Sequence, residues 1–212
     1  MDKDFLIKEF KDTLKVNYTK NSIIYKENHI FNKTSFNMRI VWSDNTVQTI
    51  LNMPKNKHIA ALNFADPYKP GGLVWQGVMT QEECLCRSSC LYRALTNSKN
   101  IENFYKYNSK LNHSTDRIIY SQKVLFFKDS NCKKTTNIRW CDIITCAAPF
   151  VEEDLQIEKI KNRMKRIIQS AFENNVDILI LGRWGCGAFG NDWNIFQKLW
   201  KEVIQKLNII DD

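Results

Sequence analysis

Apolar and polar positions along this chain fall into two alternating periods. Phe5, Ile7, Phe10 and Leu14 recur near helical spacing and predict a helix over Lys3–Val16. Met38-Arg39-Ile40-Val41-Trp42 reads as a strand, after which Ser43-Asp44-Asn45 caps a helix carrying Val47, Ile50 and Leu51. The continuous apolar runs Ile59-Ala60-Ala61-Leu62 and Asp177-Ile178-Leu179-Ile180-Leu181 fit central strands buried on both faces. Between them the pattern predicts strands at Ile118–Tyr120, Val124–Phe127 and Cys141–Ala147. A long amphipathic helix is expected over Asp154–Asn174, with Leu155, Ile160, Met164, Ile167, Ile168 and Ala171 inward, and a closing helix over Trp193–Leu207. Strands alternate with helices, so the expected class is α/β with a mixed, mostly buried sheet and helices on both faces.

Composition narrows the picture. At 212 residues, 43% hydrophobic and 25% charged, the chain suits one sizeable core and not a disordered segment. One domain over 1–212 is expected, with a helical N-terminal extension at 1–37 and a core at 38–212. No apolar run approaches the roughly 20 residues that span a bilayer, and no basic-then-apolar leader opens the sequence. Seven cysteines, an odd number without secretory context, favour a reducing compartment. A cytoplasmic monomer is expected, or a nuclear one if the source is eukaryotic or viral. The formal charge of +8 favours polyanionic partners, although an AT-rich genome, which enriches Lys, Asn and Ile, explains it equally well.

Chemistry concentrates in two loops that follow buried strands. The first, Asn63-Phe64-Ala65-Asp66-Pro67-Tyr68-Lys69-Pro70-Gly71-Gly72, leads through Leu73 to Thr80-Gln81-Glu82-Glu83 at the start of a helix. The second is Gly182-Arg183-Trp184-Gly185-Cys186-Gly187-Ala188-Phe189-Gly190-Asn191, where Gly185, Gly187 and Gly190 permit positive φ and an anion-binding turn of successive N–H groups. In open α/β sheets ligands collect at such strand ends. Neither loop matches the dinucleotide or nucleoside-triphosphatase glycine patterns, which leaves an unusual diphosphate cradle next to a carboxylate pair.

These residues resemble the microbial-type poly(ADP-ribose) glycohydrolases, a family with the macrodomain fold. The resemblance runs from Asn63-Phe64-Ala65 and Pro70-Gly71-Gly72 to Gln81-Glu82-Glu83. It continues through Ile119-Tyr120-Ser121 and Thr145-Cys146-Ala147 to Leu181–Asp192, and it covers most of the chain from about Arg39. It implies a macrodomain-like three-layer α/β/α fold and hydrolysis of ribose–ribose O-glycosidic bonds of poly(ADP-ribose), with ADP-ribose as product. It implies that Glu83 is the catalytic acid/base and that Glu82 orients the hydroxyls of the ribose being cleaved. Gly71 and Gly72 would belong to the loop over the distal ribose and diphosphate, Asn63 would sit beside that ribose, and Asp66, Leu73 and Gln81 would bind substrate with them. Gly185, Cys186, Gly187, Ala188, Phe189 and Gly190 would wrap the diphosphate, Phe189 against that ribose. No cofactor or metal is implied. Related substrates are mono-ADP-ribose on a protein or nucleic acid, and the different class is a non-catalytic ADP-ribose-binding module.

Two positions depart from the family pattern. Leu73 stands where a third glycine is usual, which would narrow or re-aim the loop. Asp66 replaces a residue more often Asn or small and polar, and its charge would repel a diphosphate unless it points to a hydroxyl or to a lysine such as Lys69.

Glu83 also completes a Thr80-x-x-Glu83 capping box, in which it would bond back to the Thr80 N–H. Adjacent carboxylates on one helix do not flank a sugar from two sides, as ordinary glycosidase pairs about 5 to 9 Å apart do, so a single-acid mechanism is expected. Cys84, Cys86, Cys90 and Cys186 lack zinc spacing and read as structural thiols, and His29, His58 and His113 form no ligand pair. Phe104, Tyr105 and Tyr107 read as packing residues, and Phe150 as a neighbour for an adenine.

Overall fold

The computed structural model describes residues 1–20, 22–32, 37–149 and 157–211. Its elements are α1 (Lys3–Thr13), β1 (Ser22–Tyr25), β2 (Arg39–Trp42), α2 (Thr46–Asn52), β3 (Ile59–Phe64), α3 (Gln81–Ser88) and α4 (Leu91–Ala94). They continue with α5 (Lys99–Leu111), β4 (Ile118–Lys128), β5 (Lys134–Cys146), α6 (Ile157–Glu173), β6 (Ile178–Leu181), α7 (Trp193–Lys206) and β7 (Ile210–Asp211). The seven strands form one mixed sheet in the order β1-β4-β5-β3-β6-β2-β7. β1, β4 and β5 pair antiparallel, whereas β5, β3, β6, β2 and β7 run parallel.

Alternate residues of each strand feed opposite layers, as a pleat requires. Ala60, Leu62, Leu179 and Leu181 join a core with Ile160, Met164 and Ile167 of α6 and with Phe196 and Trp200 of α7. Ile59, Ala61, Ile178 and Ile180 join a second core with Phe10 of α1, Val47 of α2, Leu85 of α3, Leu91 of α4 and Ile101 of α5. The result is the expected three-layer α/β/α arrangement. Among the described residues no helix is long and apolar enough to cross a membrane.

Three expectations are corrected, and one helix was not anticipated. Residues 1–37 hold more than a helix, because β1 pairs with β4 from Ser22↔Ser121 to Tyr25↔Ile118 and forms one sheet edge. The strands at Ile118–Tyr120 and Val124–Phe127 are one strand, β4, interrupted by a bulge at which Lys123 takes φ 50°. β5 starts at Lys134, seven residues before Cys141, because it extends the hairpin beyond the buried layer. Helix α5 carries Ile101, Phe104, Tyr105 and Asn108 on one buried face behind the cap Ser98, whose side chain accepts the Ile101 N–H at 3.3 Å. Asp154, Leu155 and Phe150, read above as the start of α6 and as an adenine neighbour, lie outside the described residues.

Candidate active site

Strands β3 and β6 pair in parallel, so Phe64 and Leu181 end at the same edge of the sheet and both glycine loops open there. Gln81 ties the first loop to that edge. The β3–β6 ladder is recorded from Ile59 to Ala61, and beyond it the Gln81 amide continues the pairing. It donates to Leu62 O at 2.8 Å and accepts the Phe64 N–H at 2.9 Å. A third bond runs from Gln81 to Thr46 of α2 at 3.1 Å. Helix α3 therefore starts at a set distance from the strand end.

Glu82 and Glu83, in the first turn of α3, are both buried. Glu82 Oε1 accepts the Asn63 side-chain amide at 3.1 Å and the Gly71 N–H at 3.2 Å, and Oε2 accepts the Asp66 N–H at 2.7 Å. Glu83 Oε1 accepts the Leu73 N–H at 2.9 Å, and Oε2 accepts the Thr80 hydroxyl. The loop from Asp66 to Leu73 is thus folded onto two adjacent carboxylates. Burial pushes the Glu82 carboxyl up to about 8, against the lowering effect of the Asp66 and Asn63 donors; the neighbouring charges of Glu83 and Asp66 push the same way as burial.

The glycines here answer to local geometry. Gly71 and Gly72 take φ 72° and 57°. A Cβ on Gly72 would lie 2.5 Å from Glu83 Oε1, and one on Gly71 would lie 2.7 Å from the Tyr92 ring. Leu73 needs no such freedom. Its φ of −104° is ordinary for an L-residue, and its N–H makes the bond to Glu83. Its side chain therefore leaves the loop's contact with Glu83 in place.

The second loop is held mainly by packing, with a side-chain hydrogen bond at each end. Trp184 is fully buried and donates to Cys146 O at 2.8 Å, while Asn191 donates to Pro149 O at 3.0 Å. Gly185 and Gly190 take φ 77° and 69°, whereas Gly187 does not have positive φ. A Cβ at Gly187 or Gly190 would meet nothing within 4 Å, whereas one at Gly185 would lie 2.6 Å from Ala148 Cβ. Residues 183–189 line a cleft of about 290 Å³ together with Phe64, Ala148, Thr80 and Gln81. Neither Glu82 nor Glu83 lines it. A larger groove of about 530 Å³ lies between Tyr68, Pro70 and α5, and it holds neither carboxylate nor any residue of the second loop.

A family model for the microbial-type poly(ADP-ribose) glycohydrolase (PARG) catalytic domain matches residues 8–129. The chain belongs to this family. Among solved structures, the poly(ADP-ribose) glycohydrolase of Thermomonospora curvata is 25% identical with TM-score 0.70, over 94% of this chain and 76% of that one. That of Deinococcus radiodurans, solved in complex with ADP-ribose, is 26% identical with TM-score 0.74, over 98% of this chain and 81% of that one. No curated protein matches the chain.

Within this PARG-type fold the residues singled out by sequence divide into two groups. Asn63, Asp66, Gly71, Gly72 and Leu73 gather around Glu82 and Glu83. Gln81 with Gly185, Cys186, Gly187, Ala188 and Phe189 lines the cleft, and Gly190 closes its turn by donating to Gly187 O at 2.9 Å. Asp66 makes no ion pair with the Lys69 ammonium. Its Oδ1 accepts the N–H groups of Tyr68 at 2.7 Å and Lys69 at 2.9 Å, making a turn that starts the loop.

The capping box also differs from expectation, since Glu83 bonds the Thr80 hydroxyl and the Thr80 side chain makes no cap bond. Thr80 and Tyr92 are the site residues that sequence reasoning left without a role. Thr80 had a local signal in that box, whereas the packing of Tyr92 on Gly71 is a tertiary contact with none. Cys84 and Cys186 are half-buried free thiols, and burial pushes Cys186 up to about 11. Among the described residues, no group of three or more His, Cys, Asp or Glu side chains is placed to hold a metal ion.

Proposed function

We propose that this chain hydrolyses the ribose–ribose O-glycosidic bonds of poly(ADP-ribose) and releases ADP-ribose, with Glu83 as the acid/base. The carrying observation is the convergence of the glycine loop at 71–73 on two buried carboxylates, next to a second glycine loop at the same sheet edge. The diphosphate would lie along the second loop, where the open space at Gly187 and Gly190 lets a ligand reach the backbone. Asn63 Oδ1 is buried and has no hydrogen-bond partner, so it is free to accept a ribose hydroxyl.

Both carboxylates bind the same loop from one helical turn, which favours one acid over a pair flanking the sugar. Glu83 would protonate the leaving oxygen as the anomeric C–O bond breaks, giving an oxocarbenium-like ribose. As a base it would then take a proton from the water that attacks that carbon. Each Glu83 oxygen accepts one recorded bond, which leaves lone pairs for the reacting oxygen and the water. Glu82 is better placed to hold the loop than to touch the sugar, because its carboxylate accepts three protein donors where that of Glu83 accepts two.

The test pairs substrate choice with one substitution. Labelled poly(ADP-ribose), protein-linked ADP-ribose and ADP-ribosylated DNA are each incubated with the chain, and release of ADP-ribose is expected chiefly from the polymer. Glu83→Gln keeps the shape and removes the titratable proton. Hydrolysis should fall about 10²- to 10⁴-fold while ADP-ribose binding persists. Wild-type turnover in Glu83→Gln would move the acid elsewhere. Binding without hydrolysis in the wild type would make the chain an ADP-ribose reader.

A further inference from the structure

Trp75 is an exposed tryptophan in a rigid setting. It lies in the short 3₁₀ turn Val74–Gln76, two residues beyond Leu73, whose N–H bonds Glu83. The residue is 47% exposed. Its Nε1 donates to Tyr92 OH at 2.9 Å, and it packs perpendicular to the buried Phe10 ring at 4.8 Å between centroids. Tyr92 in turn packs against Phe10 at 5.0 Å and underlies Gly71. The turn ends at Gly77, which takes φ 67° and where a Cβ would lie 2.8 Å from Lys3 O, so α1 holds the turn from the far side. Two helices, α1 and α4, thus immobilise a large aromatic side chain and leave nearly half of the residue in water.

Such an arrangement gains nothing from burial, yet the ordering cost of a stacking partner is already met. A base has a π-face whatever its identity, and an exposed, immobilised tryptophan is a general stacking platform. We propose that Trp75 stacks a nucleobase of the polymer unit adjoining the one held in the cleft, making the chain prefer polymer over single ADP-ribose units. This rests on the function proposed above. The occupant is argued from two observations: the turn is continuous with the loop on Glu83, and the formal charge of +8 suits a polyanion.

The experiment measures binding in the Glu83→Gln background, so that it reads whether or not hydrolysis occurs. The probes are free ADP-ribose and a short poly(ADP-ribose) of defined length. Trp75→Ala and Trp75→Leu should each weaken polymer binding roughly tenfold and leave ADP-ribose binding unchanged, whereas Trp75→Phe should keep most of the preference. Trp75→Leu preserves apolar packing on Phe10, so it reads the π-face even if Trp75→Ala fails to fold. Equal losses for both probes, no loss for either, or full polymer binding by Trp75→Leu would overturn the proposal. A change in oligomeric state with unchanged polymer binding would also overturn it, marking Trp75 as a contact between copies. Failure of hydrolysis in the wild type bears only on the activity.

Discussion

The two glycine loops leave neighbouring parallel strands, yet they are held by opposite means. The Asp66–Leu73 loop hangs on hydrogen bonds, with three of its backbone N–H groups donated to Glu82 and Glu83. The Gly185–Gly190 loop hangs on packing, with Trp184 buried beneath it and Gly185 pressed against Ala148. The difference follows the face each loop presents. A loop anchored by carboxylates is directed inward to Glu82 and Glu83, while one anchored from behind leaves its backbone open in front. Directional bonds suit the first because about 1 kcal/mol per bond is gained only at good geometry. Apolar burial suits the second, where the N–H groups of Cys186, Gly190 and Asn191 close the loop's own turns and the anchoring is left to packing from behind.

The comparison breaks most sharply under alanine. Gly72→Ala places a Cβ at φ 57° and 2.5 Å from Glu83 Oε1, with Glu82 Oε2 at 3.2 Å. The left-handed backbone alone costs about 1–2 kcal/mol, and the crowding moves the carboxylate off its Leu73 donor. Hydrolysis should fall on the order of a hundredfold or more, beyond what the stability loss explains, while ADP-ribose still binds. Gly187→Ala meets nothing within 4 Å and has no positive φ. Its unfolding free energy should stay within about 0.5 kcal/mol of wild type. Denaturant titrations and initial rates on the two variants decide whether the loops differ as argued, and equal effects would show that they do not.

Gly187→Glu sharpens the same comparison on the open loop. The substitution fits the folded protein because the space is empty, yet it puts a carboxylate where a diphosphate would lie. Wild type at about 100 times its Kd for ADP-ribose should gain roughly 2.7 kcal/mol of apparent stability. The variant should fold normally and show no such gain in a thermal-shift or calorimetric assay. A preserved shift would place the diphosphate elsewhere.

How much of this was legible depends on whether a signal is local. β3 and β6 are short unbroken apolar runs, and the sequence marks them without help. β4 carries exposed Gln122 and Lys123 at its bulge, and that polar pair makes one strand look like two. In β1 only Tyr25 is buried, because it is an edge strand, so it shows little alternation. Helix α5 did carry its signal, a Ser98 cap followed by Ile101, Phe104, Tyr105 and Asn108 at helical spacing, and reading the aromatics singly hid it. In the site, residue identities were readable from motif order, and the adjacency of Glu82 and Glu83 already argued against a flanking pair. Which carboxylate takes which N–H was not readable. That depends on the path of the loop between Asp66 and Leu73, set in turn by the Asp66 side chain and by Tyr92 under Gly71.

Glu82 provides the last test, because it asks whether the inward loop is held by a charge or by a neutral acid. Burial pushes its carboxyl from 4.5 up to about 8 in the folded chain. The sign follows from linkage. Between those two values the folded protein holds a proton that the unfolded chain has released, so this group makes stability fall as pH rises across the window. Below 4.5 both states are protonated, and above about 8 both are ionised, so the slope vanishes on either side. Glu82→Gln removes the titration. It also puts an amide NH₂ opposite either the Asp66 N–H or the pair from Asn63 and Gly71, which costs acceptor capacity at every pH. The variant should therefore start below wild type in acid and gain on it steadily as pH rises towards 8. Urea titrations at unit intervals of pH give the difference directly. Parallel curves would mean that Glu82 is ionised in the folded protein throughout, and that the loop is held by charge.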